Sequence, residues 1–392
     1  MPPPPPALPE ELLEDIFMRL PPDDPACLVR ASLASKLWLG LLTGPAFHAR
    51  YRDFHGAAPM LGFFQSGPHF VSEEDPLFVS TTKFSARVPD HQHWRSYGGD
   101  PLDGRHGRVA IGYKDFFLVS LVAWDPMTGR WWDLGEHYNF TSYGAAVLCA
   151  VAGCDHRACH RGPFRVVFLG LENLSHGGTA ASVWLHSLET GDECSDSEPS
   201  EVCSVHFEAS GLGIEPTCSV LVQDALYFML VHKDDDDRVG ILKFDLSSNC
   251  LSLIDAPLEL LHTAGATILM GMEDGSLGFA YVDGSLTLYL WSRQLGSDGV
   301  ASWTQCKVIN LKELLPILNP ENRLTLIGSV EGCNIIFVNT DLGIYEINLK
   351  TLQLKKIWKR EKTHTLVPYM SFYDPEGISI SLFFCDSATT LK

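Results

Sequence analysis

The sequence predicts an α+β multidomain chain, with a small three-helix unit over residues 8–55 and an all-β, propeller-like domain of about six blades over residues 60–392. Three observations carry this. Apolar residues recur at helical spacing in the first sixty residues and at strand spacing after them. Proline and glycine breaks separate the two textures. One hairpin phrase then returns five times at intervals near fifty residues. A length of 392 residues accommodates one large domain and one small one.

The opening Met1-Pro2-Pro3-Pro4-Pro5-Pro6-Ala7 is expected to be a disordered, extended tail. The helical unit begins with Leu8-Pro9-Glu10-Glu11-Leu12-Leu13-Glu14-Asp15-Ile16-Phe17-Met18-Arg19-Leu20. Its apolar residues at 12, 13, 16, 17 and 20 read as one stripe of an amphipathic helix. Pro9 suits the first helical position, acids crowd the first turn, and Pro21-Pro22 stops the run. Asp24-Pro25 restarts a helix carrying Cys27, Leu28, Val29 and Ala31. A third helix presents Leu33, Leu37, Trp38, Leu41 and Leu42, and Thr43-Gly44-Pro45 is expected to end it. Three short helices barely close a core. Their surplus apolar surface implies packing on the rest of the chain or on a partner protein.

The string from Leu8 to Tyr51 resembles the F-box. It has a Leu-Pro-x-Glu-Leu-Leu-x-x-Ile-x-x-Arg-Leu-Pro-Pro opening, a Leu-x-Arg-Ala-Ser middle and a Lys-x-Trp close. The stretch from Phe47 to Gln65, with its run Phe54-His55-Gly56-Ala57-Ala58-Pro59-Met60-Leu61-Gly62-Phe63-Phe64, is similar to the large F-box family of grasses. The resemblance implies that the helices grip the Skp adaptor of a cullin-based ubiquitin ligase and that a propeller-like domain follows. It places the adaptor contact on Leu8, Pro9, Leu12, Ile16, Leu20, Pro21, Leu28, Trp38 and Leu41. Family members commonly close on Cys-Lys-Arg-Trp, whereas this chain has Ser35-Lys36-Leu37-Trp38 and so lacks one basic residue. The chain would then be a substrate receptor that holds a target protein through its β domain. The alternative is an interaction scaffold whose F-box engages no ligase.

The recurring phrase is an apolar strand, a polar residue, a tight turn and a second strand. Anchoring it on Asp125, Ser187, Asp245, Ser292 and Asn348 leaves gaps of 62, 58, 47 and 56 residues. Asp, Ser or Asn at the first turn position bonds the backbone ahead, and Gly or Asn near the end tolerates the left-handed conformation. The gaps bracket the kelch-type period of about 50 and exceed the compact 40–45 kind. Four strands per repeat make a propeller blade, six or seven of them in all. A β-sandwich would not show the period. The run Ile378 to Phe384 is expected to close the ring against the first blade.

The formal charge of −19 disfavours nucleic acid and acidic membrane surfaces as partners. No apolar run is long enough for a membrane span, the start lacks a secretory pattern, and eleven scattered cysteines read as reduced thiols. Cytosol or nucleus is expected. Cys154, His156, Cys159 and His160 are crowded and lack a second separated pair, so no metal is expected there, nor any cofactor. The run Asp234–Asp237 lacks the spaced oxygens of a calcium loop. No nucleophile elbow, zinc-protease motif or phosphate loop occurs, so a non-catalytic chain is expected. The Lys355–Lys362 cluster surrounds Ile357 and Trp358 and reads as strand decoration or a nuclear address. Trp94, Tyr97, Trp131 and Tyr138 are aromatic candidates for target contact.

Overall fold

A computed structural model of the chain describes residues 8–66, 77–86, 99–115, 118–154, 156, 162–188, 199–232, 239–257, 266–296, 300–319, 324–359 and 363–372. Four helices come first, α1 (Glu10–Met18), α2 (Pro25–Ala34), α3 (Lys36–Leu42) and α4 (Pro45–His55). The fourth corrects the three-helix expectation. Thr43-Gly44-Pro45 ends the third helix as expected, and Pro45 also opens a further one, at the first helical position, where a missing N–H costs nothing. The Ser35 hydroxyl caps α3 by accepting the Trp38 N–H at 3.1 Å.

Strands follow from Met60 onward in six sheets. The chain's β region is a six-bladed propeller. Blade 2 comprises β3 (Asp100–Arg105), β4 (Arg108–Asp115), β5 (Leu118–Trp124) and β6 (Trp131–Tyr138). Blade 3 comprises β7 (Ser142–Cys149), β8 (Phe164–Asn173), β9 (Thr179–Leu188) and β10 (Ser200–Phe207). Blade 5 holds β16 (Thr267–Gly271), β17 (Leu277–Val282), β18 (Thr287–Leu295) and β19 (Ala301–Asn310), and blade 6 holds β20 (Thr325–Val330), β21 (Ile335–Thr340), β22 (Gly343–Asn348) and β23 (Leu354–Trp358). Each is an antiparallel meander.

Blade 4 departs from this pattern. Its inner strand is split into β11 (Leu212–Ile214) and β12 (Val220–Val222), both paired with β13 (Ala225–His232), beyond which lie β14 (Val239–Asp245) and β15 (Cys250–Asp255). Pro216 sits in the gap and has no N–H to give the ladder. Blade 1 joins the two ends of the β region. Here β1 (Met60–Ser66) lies between β2 (Phe78–Ser80) and the last strand, β24 (Thr365–Met370). The closing strand is thus Thr365–Met370, and the expected Ile378–Phe384 run lies outside the described residues. Gly62 permits the tight pairing, since a Cβ there would stand 2.5 Å from the Val79 carbonyl oxygen.

The hairpin phrase has the expected chemistry at three anchors. Asp125 accepts the Met127 and Thr128 N–H groups, Asp245 accepts the Ser248 N–H, and Asn348 accepts those of Lys350 and Thr351. Gly129, Asn249 and Leu352 then take positive φ. Ser292 is no anchor, because β18 runs past it to Leu295 and the chain turns where the Gly296 N–H meets the Val300 carbonyl.

Apolar clusters sit between neighbouring blades all round the ring. Successive residues of one strand serve different clusters: Ala145 and Val147 pack towards blade 2, Ala146 and Leu148 towards blade 4. With both faces buried, inner strands read as unbroken apolar runs. One interface encloses two histidines, His137 of β6 and His186 of β9, with ring centroids 5.3 Å apart. His137 stacks on Phe168 at 4.0 Å, and neither Nε2 meets a hydrogen-bond partner among the described residues. Burial pulls both rings down to about 4.

A base whose folded value lies below its unfolded one resists protonation in the fold. Its contribution is complete above about pH 6.5 and is lost as pH falls towards 4. Each ring should therefore cost about 2 kcal/mol more at pH 5 than at pH 7. His137→Phe or His186→Phe should flatten the fall in unfolding midpoint between those pH values. An unchanged slope in both variants would contradict this account of the pair.

Candidate functional site

The helical unit divides its apolar residues between two directions. Leu13, Phe17, Met18, Leu28, Val29, Leu42, Phe47 and Tyr51 enter one core with Leu61, Phe64, Val109, Trp124, Tyr369 and Phe372 of blades 1 and 2. The Tyr51 hydroxyl donates to the Leu20 carbonyl at 2.6 Å, and its ring meets Phe372 edge-on at 6.2 Å. Lys83 pairs with Asp24 at 3.0 Å across the same junction. The single stripe read from the sequence is therefore two rows. Leu13 and Phe17 face the propeller, while Leu12 and Ile16, four residues apart and so stacked on one ridge, are each 50% exposed.

Of the residues placed at the adaptor contact, Leu8, Pro9, Leu12, Ile16 and Pro21 are exposed. Leu20, Trp38 and Leu41 are half-buried against the core, and Trp38 meets Phe17 edge-on at 5.1 Å. Leu28 is 3% exposed and belongs to the core, so its side chain is not at the surface. Leu33, near the end of α2, and Leu37, in the first turn of α3, are exposed apolar residues outside that set. They lie on two helices on either side of the extended Ser35, so helical spacing gives no signal that links them.

The six inner strands surround a channel holding a cavity of about 530 Å³, lined in part by Gly56, Ala57 and Ala58 between α4 and β1. Arg105, at the end of β3, crosses it. Its Nε donates to Glu331 at 2.7 Å, its Nη2 to the other Glu331 oxygen at 3.1 Å, and its Nη1 to Asp103 and to the Ser219 hydroxyl. Asp103 accepts the Val147 N–H from blade 3 at 2.6 Å, and Glu331 accepts the Leu221 N–H from blade 4 at 2.6 Å. Burial alone would pull the guanidinium down, but Asp103 and Glu331 more than offset it and hold the charge. Burial pushes the Asp103 carboxyl up against the pull of Arg105. It also raises the adjoining Cys218 thiol to about 12, so that this thiol stays protonated at neutral pH. With its donors engaged by protein acceptors, Arg105 is a tie between blades rather than a ligand for a guest.

Other expected features fall as follows. Trp131 is partly buried, and Tyr138, 60% exposed, donates its hydroxyl to Glu136 at 2.8 Å. Trp94, Tyr97, Cys159, His160 and Asp234–Asp237 lie outside the described residues. Lys355 to Trp358 form most of β23. Cys154 and His156 are joined by Cys149, a residue the spacing argument passed over because it sits on the preceding strand.

Residues 6–52 match the family model described as F-box-like. The N-terminal unit is an F-box-like domain. Such domains are typical of non-catalytic adaptor subunits. No curated protein matches the chain. Among solved structures, TolB from Acinetobacter baumannii is 11% identical, over 85% of this chain and 72% of that one, with a TM-score of 0.38. The fission yeast SREBP–SCAP binding domains are 15% identical, over 76% and 69%, with a TM-score of 0.36. A lectin of Aleuria aurantia is 15% identical, over 70% and 79%, at 0.34. Likenesses this distant do not bear on what the chain does.

Arg105→Met should destabilise the protein by about 3–5 kcal/mol, because it strands the buried Asp103 carboxylate at the axis. Lys350→Met removes an exposed pair with Glu273 and should cost less than about 1 kcal/mol. Denaturant midpoints of the two variants test the contrast, and equal losses would refute the clamp.

Proposed function

We propose that this chain is the substrate-recognition subunit of a Skp-cullin-F-box ubiquitin ligase, binding the Skp-type adaptor through its helices and a target protein through the propeller. One observation carries the reading. A unit matching the F-box-like model keeps Leu8, Leu12 and Ile16 half exposed although its opposite face is buried in a core. An apolar ridge left outside a completed core fits a protein partner. Leu8, Pro9, Leu12, Ile16 and Pro21 would make the direct contact, with Leu20, Trp38 and Leu41 at its inner edge and Leu28 below. Cullin is reached through the adaptor. The chain makes and breaks no bonds itself, acting by raising the target's effective concentration near the ubiquitin carrier. The negative charge argues against nucleic acid or anionic membrane as the target. The residues from Phe47 to Gln65 support kinship with the grass F-box family, and a reducing cytosol or nucleus suits the free thiols.

The test is capture of a purified Skp-type adaptor by the full chain. Leu12→Asp with Ile16→Asp should weaken capture more than about a hundredfold, equivalent to 2.7 kcal/mol, with the unfolding midpoint kept. Leu20 and Trp38 are poorer probes, since both also touch the core. Should the wild-type chain capture no adaptor, the ligase reading fails and the chain is an interaction scaffold.

A further inference from the structure

We propose that Cys149, Cys154 and His156 bind one zinc-class divalent cation beside the mouth of the channel. Their ligand atoms, two thiol sulfurs and one imidazole nitrogen, all lie within 4.8 Å of one another. A tetrahedral site with Zn–S of about 2.3 Å and Zn–N of about 2.0–2.1 Å sets such atoms roughly 3.3–3.8 Å apart. The three therefore need to close by only about 1 Å, within reach of side-chain rotation.

The backbone builds this convergence. Cys149 is the last residue of β7, and the Ala150 N–H donates to the Pro163 carbonyl at 3.0 Å, pinning the base of the loop that leads to β8. The Cys154 N–H closes a turn onto the Val151 carbonyl at 3.3 Å, with Gly153 at a φ of 66°. The chain thus doubles back and sets the second sulfur beside the first.

A second observation is independent of that proximity. Each sulfur accepts the backbone N–H two residues further on, Cys149 from Val151 at 3.4 Å and Cys154 from His156 at 3.3 Å. A metal-bound sulfur carries negative charge, and N–H groups aimed at it are the outer contacts that hold ligands in place. Neither cysteine is in a disulfide.

The donor set selects the ion. Two thiolates and an imidazole favour zinc over magnesium or calcium, which demand oxygen ligands. Three protein ligands leave a fourth position for water or a further donor. The His156 ring lies 5.1 Å from that of His106 in the β3–β4 turn, and both line the channel cavity. A bound ion would stiffen the blade 3 loop where it meets blade 2. On binding, the two thiol protons pass to solvent, so occupancy falls as pH drops.

The full chain, purified without chelator, should carry one zinc by elemental mass spectrometry. After stripping, Co²⁺ should give the absorption of tetrahedral, thiolate-bound cobalt. Cys149→Ser, Cys154→Ser and His156→Ala should each weaken zinc binding more than tenfold, while Cys250→Ser, at an exposed cysteine of blade 4, binds as wild type. The cobalt spectrum of the wild-type chain decides the matter even if a variant folds poorly. The proposal is overturned if no zinc is retained, if cobalt shows no thiolate charge transfer, or if both serine variants bind undiminished. A Cys149–Cys154 disulfide in freshly prepared protein would also overturn it. None of these outcomes touches adaptor capture, so the two readings stand or fall separately.

Discussion

The propeller is a ring of sheets, and a ring must be held against opening. Apolar clusters join each blade to its neighbour, but they act only between adjacent sheets. Arg105 acts across the axis, where its planar fork reaches Asp103 on its own strand, Ser219 on blade 4 and Glu331 beyond β20 of blade 6. The same carboxylates take N–H groups from Val147 and Leu221, so four of the six blades share one network. The break in blade 4 around Pro216 lies beside this arrangement, and Ser219 and Leu221, which follow it, line the channel. A buried charge tolerates little displacement of its partners, so this network sets the geometry that the softer apolar contacts then fill.

The helical unit depends on that geometry at second hand. Its inner face is completed by Tyr369 and Phe372 at the end of the described chain and by Trp124 of blade 2. The outward row on α1, Leu33, Leu37 and Phe54 of α4 are left exposed. Docking of this kind seats the F-box-like domain on blades 1 and 2 of the propeller.

Much of this was legible in the residues. Asp125, Asp245 and Asn348 announce their hairpins because a side-chain oxygen that bonds the next turn works locally, whatever surrounds it. Ser292 imitates that signal within a strand, and only the pairing of β18 with β19 shows it to be interior. Gly44-Pro45 is ambiguous for the same reason, since the pair stops one helix and starts another equally well. Leu12 and Leu13 differ by one residue yet face opposite ways, and the periodicity of a short helix with apolar residues on two sides does not say which side is covered. Closure by Thr365–Met370 is set by tertiary path and leaves no mark in local spacing. The approach of Cys149 to Cys154 and His156 is local, made by a turn after β7, and escapes notice because Cys149 reads as a strand residue.

The pairing of β24 with β1 also imposes an order in time. The helices leave the ribosome first, yet Tyr369 and Phe372, which roof their inner face, are made roughly 300 residues later. At typical synthesis rates that delay is on the order of 15–60 s. Through that interval the nascent helical unit shows both apolar faces, the inner one still without the residues that cover it. A chain ending before Thr365 would keep that condition permanently, with an open ring and an unroofed helical unit arising from the same missing strand.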